Sequence, residues 1–151
     1  PLNYLRVASL KKRRPDIKII INGGIQSIKQ GNELIFNHNL DGFMIGREAY
    51  KNPYMLSTVD RDVFSKATKQ RTRYEIAMEM ADYIDNYMKE EGSHVHAVTR
   101  HMLGLYNSLP GAKEWRRVLS ENVRFSKNGD ILRLATDNIE DVIHRQNLNL
   151  A

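Results

Sequence analysis

Two short apolar runs that each end in glycine constrain this chain most. They are Ile19-Ile20-Ile21-Asn22-Gly23-Gly24-Ile25 and, about twenty residues later, Gly42-Phe43-Met44-Ile45-Gly46-Arg47. An apolar run closing on glycine is the pattern of a buried parallel strand that opens into a loop whose backbone must approach something closely. The spacing predicts strands over Ile17–Ile21 and Gly42–Ile45, the first buried on both faces. Between them, Ser27 is a suitable N-cap for a helix over about 28–37, with Ile28, Leu34 and Ile35 turned inward. Strand, helix and strand make a βαβ unit.

Glycine loops after two consecutive parallel strands, the second carrying arginine, form a reasonable phosphate cradle. Backbone N–H groups point at the anion, and the guanidinium adds a planar fork of donors. Asn22, Gly23, Gly24, Gly46 and Arg47 are therefore the candidate anion-binding residues. In a (β/α)8 barrel the loops after the last two strands often do this work. The plainer reading is that Asn22-Gly23 is an ordinary turn and Arg47 a structural ion-pair partner of Glu48.

Before the first strand, residues 1–14 read as most of a helix, with Leu2, Leu5, Val7, Ala8 and Leu10 apolar and Lys11-Lys12-Arg13-Arg14 at its negative pole. Pro15-Asp16 breaks it. Two parallel strands with both edges open are costly. The expectation is that the rest of a larger protein, or self-association through the open strand edges, completes the sheet.

After Asn52-Pro53 the pattern turns helical. Residues 71–91 carry Tyr74, Ala77, Met80, Ala81, Ile84, Tyr87 and Met88 at helical spacing, and Gly92 ends the run. Ser93 caps a predicted helix over about 94–107. A turn at Ser108-Leu109-Pro110-Gly111 leads to a helix over about 112–121, and Asn128-Gly129-Asp130 precedes a last helix over about 137–146. The expected division is an α/β part over 1–60 and a small helical bundle over 61–151.

The formal net charge is +5, and it is unevenly placed. Residues 92–127 hold six Lys/Arg against two acids, plus His94, His96 and His101. A local basic excess suits an anionic partner, nucleic acid first, although a solvated surface has the same composition. Arg100-His101 and Lys113-Glu114-Trp115-Arg116-Arg117 are the basic clusters there. Lys113 and Arg116 are three apart and share a helix face. Trp115 beside Val118 and Leu119 reads as core, with stacking on a base as the alternative. His94 and His96 point different ways on a helix, so no metal constellation is predicted. There is no cysteine, which excludes disulfides and thiol chemistry within these residues and fits a cytoplasmic protein. No apolar run approaches the roughly 20 residues that span a membrane.

Four stretches together carry a family resemblance. They are Ile21-Asn22-Gly23-Gly24-Ile25, the run from Asp41 to Pro53, Thr99-Arg100-His101-Met102-Leu103-Gly104-Leu105, and the run from Pro110 to Ser120. Residues 1–122 resemble, in register, the C-terminal half of the tRNA-dihydrouridine synthase A family, and the last two motifs are specific to that subfamily. The resemblance implies an α/β plus all-α chain: the last βαβ portion of a (β/α)8 TIM barrel followed by a C-terminal helical bundle that binds tRNA. It implies an oxidoreductase that uses NADPH and FMN to reduce a uridine in the tRNA D-loop, with the target base flipped onto the flavin.

By position in the resemblance, Asn22, Gly23, Gly24, Gly46 and Arg47 hold the FMN phosphate. Lys113 and Arg116 contact tRNA, with Arg100, His101 and Arg117 as further tRNA-binding candidates. The family usually has arginine where this chain has Lys113, and lysine loses the bidentate fork. The family's proton-donating cysteine lies in its N-terminal half, so the resemblance implies a C-terminal fragment without a catalytic residue, expected to be inactive alone. The alternative function is a stand-alone RNA-binding helical module with a βαβ scaffold; a different phosphate-binding barrel is a third, weaker reading.

Overall fold

The computed structural model describes residues 2–89 and 94–149. The chain divides into two compact units, Pro1–Lys69 and Gln70–Ala151. This division falls nine residues later than the 60/61 boundary expected from sequence, because the short helices after Pro53 stay with the first unit.

In the first unit, helix α1 (Tyr4–Arg13) is capped by Asn3, whose side chain accepts from the Arg6 N–H at 3.0 Å. Strands β1 (Ile20–Asn22) and β2 (Gly42–Met44) pair in parallel, with Ile21 opposite Phe43. Helix α2 (Ile28–His38) connects them. Ser27 caps it as expected, accepting from Gln30 N–H at 3.1 Å, and Asn39 closes it in the left-handed conformation. Helix α3 (Arg47–Lys51), a 3₁₀ turn (Pro53–Thr58) and helix α4 (Val59–Asp62) follow.

Ile21, Ile25 and Leu40 form the buried centre of this unit, flanked by Tyr4, Val7, Ile19, Leu34, Phe43 and Ile45. The expectation that β1 is buried on both faces does not hold. Ile21 is 1% exposed but Ile20 is 58% exposed. With two strands, the side chains on the face away from this centre have nothing to cover them, and alternation sends Ile20 there.

The lower end of the strands is tied by a buried lysine. Lys11, read from sequence as part of the basic run at the negative pole of the first helix, is buried and donates to the Asp41 carboxylate at 2.8 Å and to the Ile17 carbonyl at 2.9 Å. Asp41 also accepts from Ile19 N–H at 2.7 Å. The Lys11 ammonium, then the Ile19 N–H, hold the Asp41 carboxyl below the usual aspartate range.

In the second unit, helix α5 (Arg73–Tyr87) starts with a capping box: Thr72 accepts from Glu75 N–H and Glu75 accepts from Thr72 N–H. Its stop at Gly92 and the Ser93 cap predicted for the next helix lie outside the described residues. Helix α6 (Val95–Thr99), helix α7 (Ala112–Glu121), a 3₁₀ turn (Asn122–Phe125) and helix α8 (Asp130–Leu148) complete it.

The predicted helix over 94–107 is only five residues long. Tight bonds such as Met102 N–H to the Thr99 carbonyl and Leu105 N–H to the Met102 carbonyl replace the α pattern. Two carbonyls of this segment also accept from side chains. Trp115 Nε1 donates to the Met102 carbonyl at 3.1 Å, and Arg73 Nε to the Leu105 carbonyl at 2.9 Å. Gly104 therefore sits in a turn, and no helix-interior penalty applies to it. The last helix begins seven residues before the predicted 137.

Helix α8 packs on both α5 and α7. Ala77, Ala81 and Ile84 from α5, Trp115 and Leu119 from α7, and Leu132, Ala135 and Ile139 from α8 are all buried. Each fully buried Ile, Leu or Trp in that set contributes about 1.5–3 kcal/mol of transfer free energy or more. Tyr106 is buried too, its ring 4.7 Å from that of Trp115 and its hydroxyl donating to Glu140 at 2.6 Å. Burial first, and the Glu140 carboxylate second, push this phenol far above its ordinary pKa.

Candidate functional site

The two glycine loops meet at the C-terminal ends of β1 and β2. Asn22 and Met44 are register partners, so the residues that follow them leave the sheet side by side. Asn22, Gly23, Gly24, Gly46 and Arg47 line one cleft of about 370 Å³, with Gln26, Glu48 and Lys51 also on its wall. All five residues predicted from sequence are thus brought together.

Gly23 and Gly24 have φ of +123° and +61°. The first value is closed to residues with a side chain, and the second is unfavourable for most. Two successive positive φ values turn the chain back over the strand ends. Tyr4 fixes this turn by donating its hydroxyl proton to the Gly23 carbonyl. The loop therefore reaches the cleft as backbone and is braced from α1.

Arg47 is exposed at the cleft. Among the described residues its guanidinium has no hydrogen-bond or ion-pair partner, so the ion pair with Glu48 does not form. Lys51, one turn later on α3, adds a second cation to the wall. Sequence reading missed it because an i,i+4 partner of Arg47 becomes visible only once a helix is known to start there. The Lys11–Asp41 clasp lies at the opposite end of the strands, so one end is held by an ion pair made by a buried lysine and the other presents open backbone and two cations that have no partner among the described residues.

In the second unit, Lys113, Arg116 and Arg117 lie on the exposed side of α7. Arg117 is committed: its guanidinium makes two bonds to Glu114, at 2.6 and 2.9 Å. Lys113 and Arg116 have no such partner among the described residues. Arg100 and His101 are exposed, and Arg100 Nε donates to His101 Nε2 at 3.0 Å. Thr99 donates to the Leu119 carbonyl at 3.5 Å and Trp115 to that of Met102, which runs the segment carrying Arg100 and His101 alongside α7. Trp115 is 1% exposed and belongs to the core, not to a stacking surface.

No described helix is long and apolar enough to cross a membrane.

A family model described as dihydrouridine synthase matches residues 1–143. A tRNA-dihydrouridine(20/20a) synthase of Vibrio cholerae serotype O1 is 44% identical over 122 residues, covering 81% of this chain and 36% of the relative. The protein of that name from Shewanella oneidensis is 41% identical over 143 residues, covering 93% of this chain and 41% of the relative. The one from Escherichia coli K12 is 41% identical over 122 residues, covering 81% and 34%. The chain thus spans between 34% and 41% of the length of these three relatives. With a family model covering nearly all of it and relatives above 40% identity, the chain belongs to the dihydrouridine synthase (Dus) family.

Proposed function

We propose that this chain supplies the phosphate end of the flavin site and the tRNA-docking helices of a tRNA-dihydrouridine synthase. In this reading residues 1–60 are the last βαβ portion of the (β/α)8 barrel and residues 61–151 the helical tRNA-binding domain. The observation that carries it is the single cleft shared by Asn22, Gly23, Gly24, Gly46 and Arg47.

The cleft fits the phosphate of FMN. Its wall offers glycine backbone from two loops, the free guanidinium of Arg47 and the Lys51 ammonium, against Glu48 as the acid. Arg47 meets a dianion with paired, charge-assisted bonds. FMN held there would supply the hydride chemistry that reduces uridine to 5,6-dihydrouridine, with NADPH as the reductant. This chain's residues bind and orient; none of them is the proton donor, because the 151 residues contain no cysteine. The isolated chain therefore neither retains FMN nor turns over.

Lys113 and Arg116 are the principal tRNA contacts, with Arg100 and His101 beside them. Arg117 acts through its pair with Glu114, which fixes the charge pattern of the helix.

A chimera joining these 151 residues to the N-terminal remainder of the Vibrio cholerae relative tests the proposal. It is expected to purify with FMN and to reduce unmodified tRNA. Arg47→Ala is expected to lose flavin, while Lys113→Ala/Arg116→Ala keeps flavin and NADPH oxidation but binds tRNA weakly. Full flavin retention in Arg47→Ala refutes the cradle assignment. Equal loss of both activities in the double variant makes those two residues structural.

A further inference from the structure

We infer that Phe125 is a stacking platform for an unpaired base of the bound RNA, at the end of a basic stripe that runs the length of α7. The inference rests on the tRNA-docking reading of Lys113 and Arg116 and extends it to residues with no assigned role.

Helix α7 buries Ala112, Trp115, Val118 and Leu119. Lys113, Arg116, Arg117 and Ser120 lie on the opposite side of the helix, Arg124 follows on the 3₁₀ turn, and all are exposed. The acids of this helix, Glu114 and Glu121, flank one edge. Glu114 is bonded to Arg117, and Glu121 adds its charge beside the same guanidinium. Lys113, Arg116, Arg124 and Lys127 remain without a hydrogen-bond or ion-pair partner among the described residues.

The stripe ends in an aromatic ring. Phe125 is 83% exposed, although its neighbour Val123 is 2% exposed and anchors the 3₁₀ turn in the core. Ser126 N–H bonds the Val123 carbonyl at 3.0 Å and closes that turn. The backbone is thus fixed while the ring stands in water, where it contributes no burial to the fold. Arg124 precedes it and Lys127 follows two residues later.

A π-face between two cations matches single-stranded RNA: the ring takes a base and the cations take the adjoining phosphates. Paired bases are already stacked, so the occupant is a loop or flipped nucleotide. A protein partner would call for a contiguous apolar patch rather than one ring among charges.

The test measures binding of the full chain to an end-labelled, unmodified tRNA transcript over a series of salt concentrations. Phe125→Ala is expected to weaken binding about 5- to 100-fold with an unchanged salt slope, since stacking is not ionic. Phe125→Trp retains affinity, and Phe125→Leu falls with Ala because it keeps apolar area and loses the π-face. Arg124→Ala flattens the log–log salt slope by about 0.7–0.9. The urea midpoint of Phe125→Ala matches the parent.

Binding within twofold of the parent in Phe125→Ala, equal binding by Phe125→Leu, a lowered urea midpoint, or equal competition by a fully paired RNA duplex each overturns the stacking role. If Lys113→Ala/Arg116→Ala still flattens the slope in that case, the docking reading survives alone. If the parent chain shows no salt-dependent tRNA binding, the docking reading fails and takes the stacking role with it.

Discussion

Replacing Trp115 by Phe separates the two readings of this residue that sequence left open. The indole is 1% exposed, donates to the Met102 carbonyl at 3.1 Å and lies 4.7 Å from the Tyr106 ring. Phenylalanine keeps most of the ring contact and loses the donor. The Met102 carbonyl keeps its bond from the Leu105 N–H, so losing the indole donor costs about 0.5–1.5 kcal/mol. The smaller ring leaves a cavity of about 30–40 Å³, worth roughly 1 kcal/mol more at about 24 cal/mol per Å³. The expected loss is therefore about 1.5–2.5 kcal/mol.

Urea unfolding followed by far-ultraviolet circular dichroism measures it, because the variant has no tryptophan to report by fluorescence. With a slope of about 1–3 kcal/mol per molar urea, the midpoint should fall by roughly 1 M. The segment after Thr99 should also exchange its amide hydrogens faster, since the indole holds it to α7. A loss under about 0.5 kcal/mol, joined to weaker tRNA binding, would refute the argument and make Trp115 a base-stacking residue.

Two further outcomes follow from the geometry. Gly23→Ala forces a side chain onto φ of +123° and sets its Cβ 2.5 Å from Leu2 Cδ2, so the first unit should lose about 1–3 kcal/mol, read as faster amide exchange in Ile20–Asn22. A normal exchange pattern would mean that the loop accepts a side chain. Asp85 accepts from Gly129 N–H at 2.7 Å and from Arg133 at 2.7 Å, and these partners, the first leading, hold its carboxyl below the ordinary 3.8. The folded pKa is the lower one, so this contribution is complete above 3.8 and is lost as pH falls through the folded value. Urea midpoints of Asp85→Asn should therefore lie below the parent at pH 7 and converge on it in acid; a constant gap at all pH values would contradict this linkage.

The cleft was legible in the sequence because its parts are local. An apolar run that stops at Asn22-Gly23-Gly24 and another that stops at Gly46-Arg47 carry their own signals, and parallel pairing then places the loops together. Helix α7 was legible to the residue, since Gly111 starts it and Trp115, Val118 and Leu119 mark its buried side. The Thr72-x-x-Glu75 capping box, which the sequence reading passed over, starts α5 at Arg73, two residues inside the expected 71.

Other features had no local signature. Lys11 looks like three neighbouring basic residues at a helix end, and only the approach of Asp41 from thirty positions away makes it a buried clasp. The segment after Thr99 has helical periodicity, but tight turns replace the α ladder and side chains from Arg73 and Trp115 also donate to its carbonyls. Asp82, Asp85 and Asp130 converge on Arg133 across two helices, a cluster that no spacing along the chain encodes.

Sequence by itself determined the glycine loops that follow the strands, the starts of α2 and α7 and the charges available, because glycine conformation, capping and periodicity act over a few residues. Tertiary structure alone decided which distant charges meet: Lys11 pairs with Asp41, and Arg133 with Asp82 and Asp85, whereas among the described residues Arg47, Lys113, Arg116 and Arg124 have no hydrogen-bond or ion-pair partner. The reason is that a charge finds its partner through space, and the distance between side chains is set by packing, not by their separation along the chain.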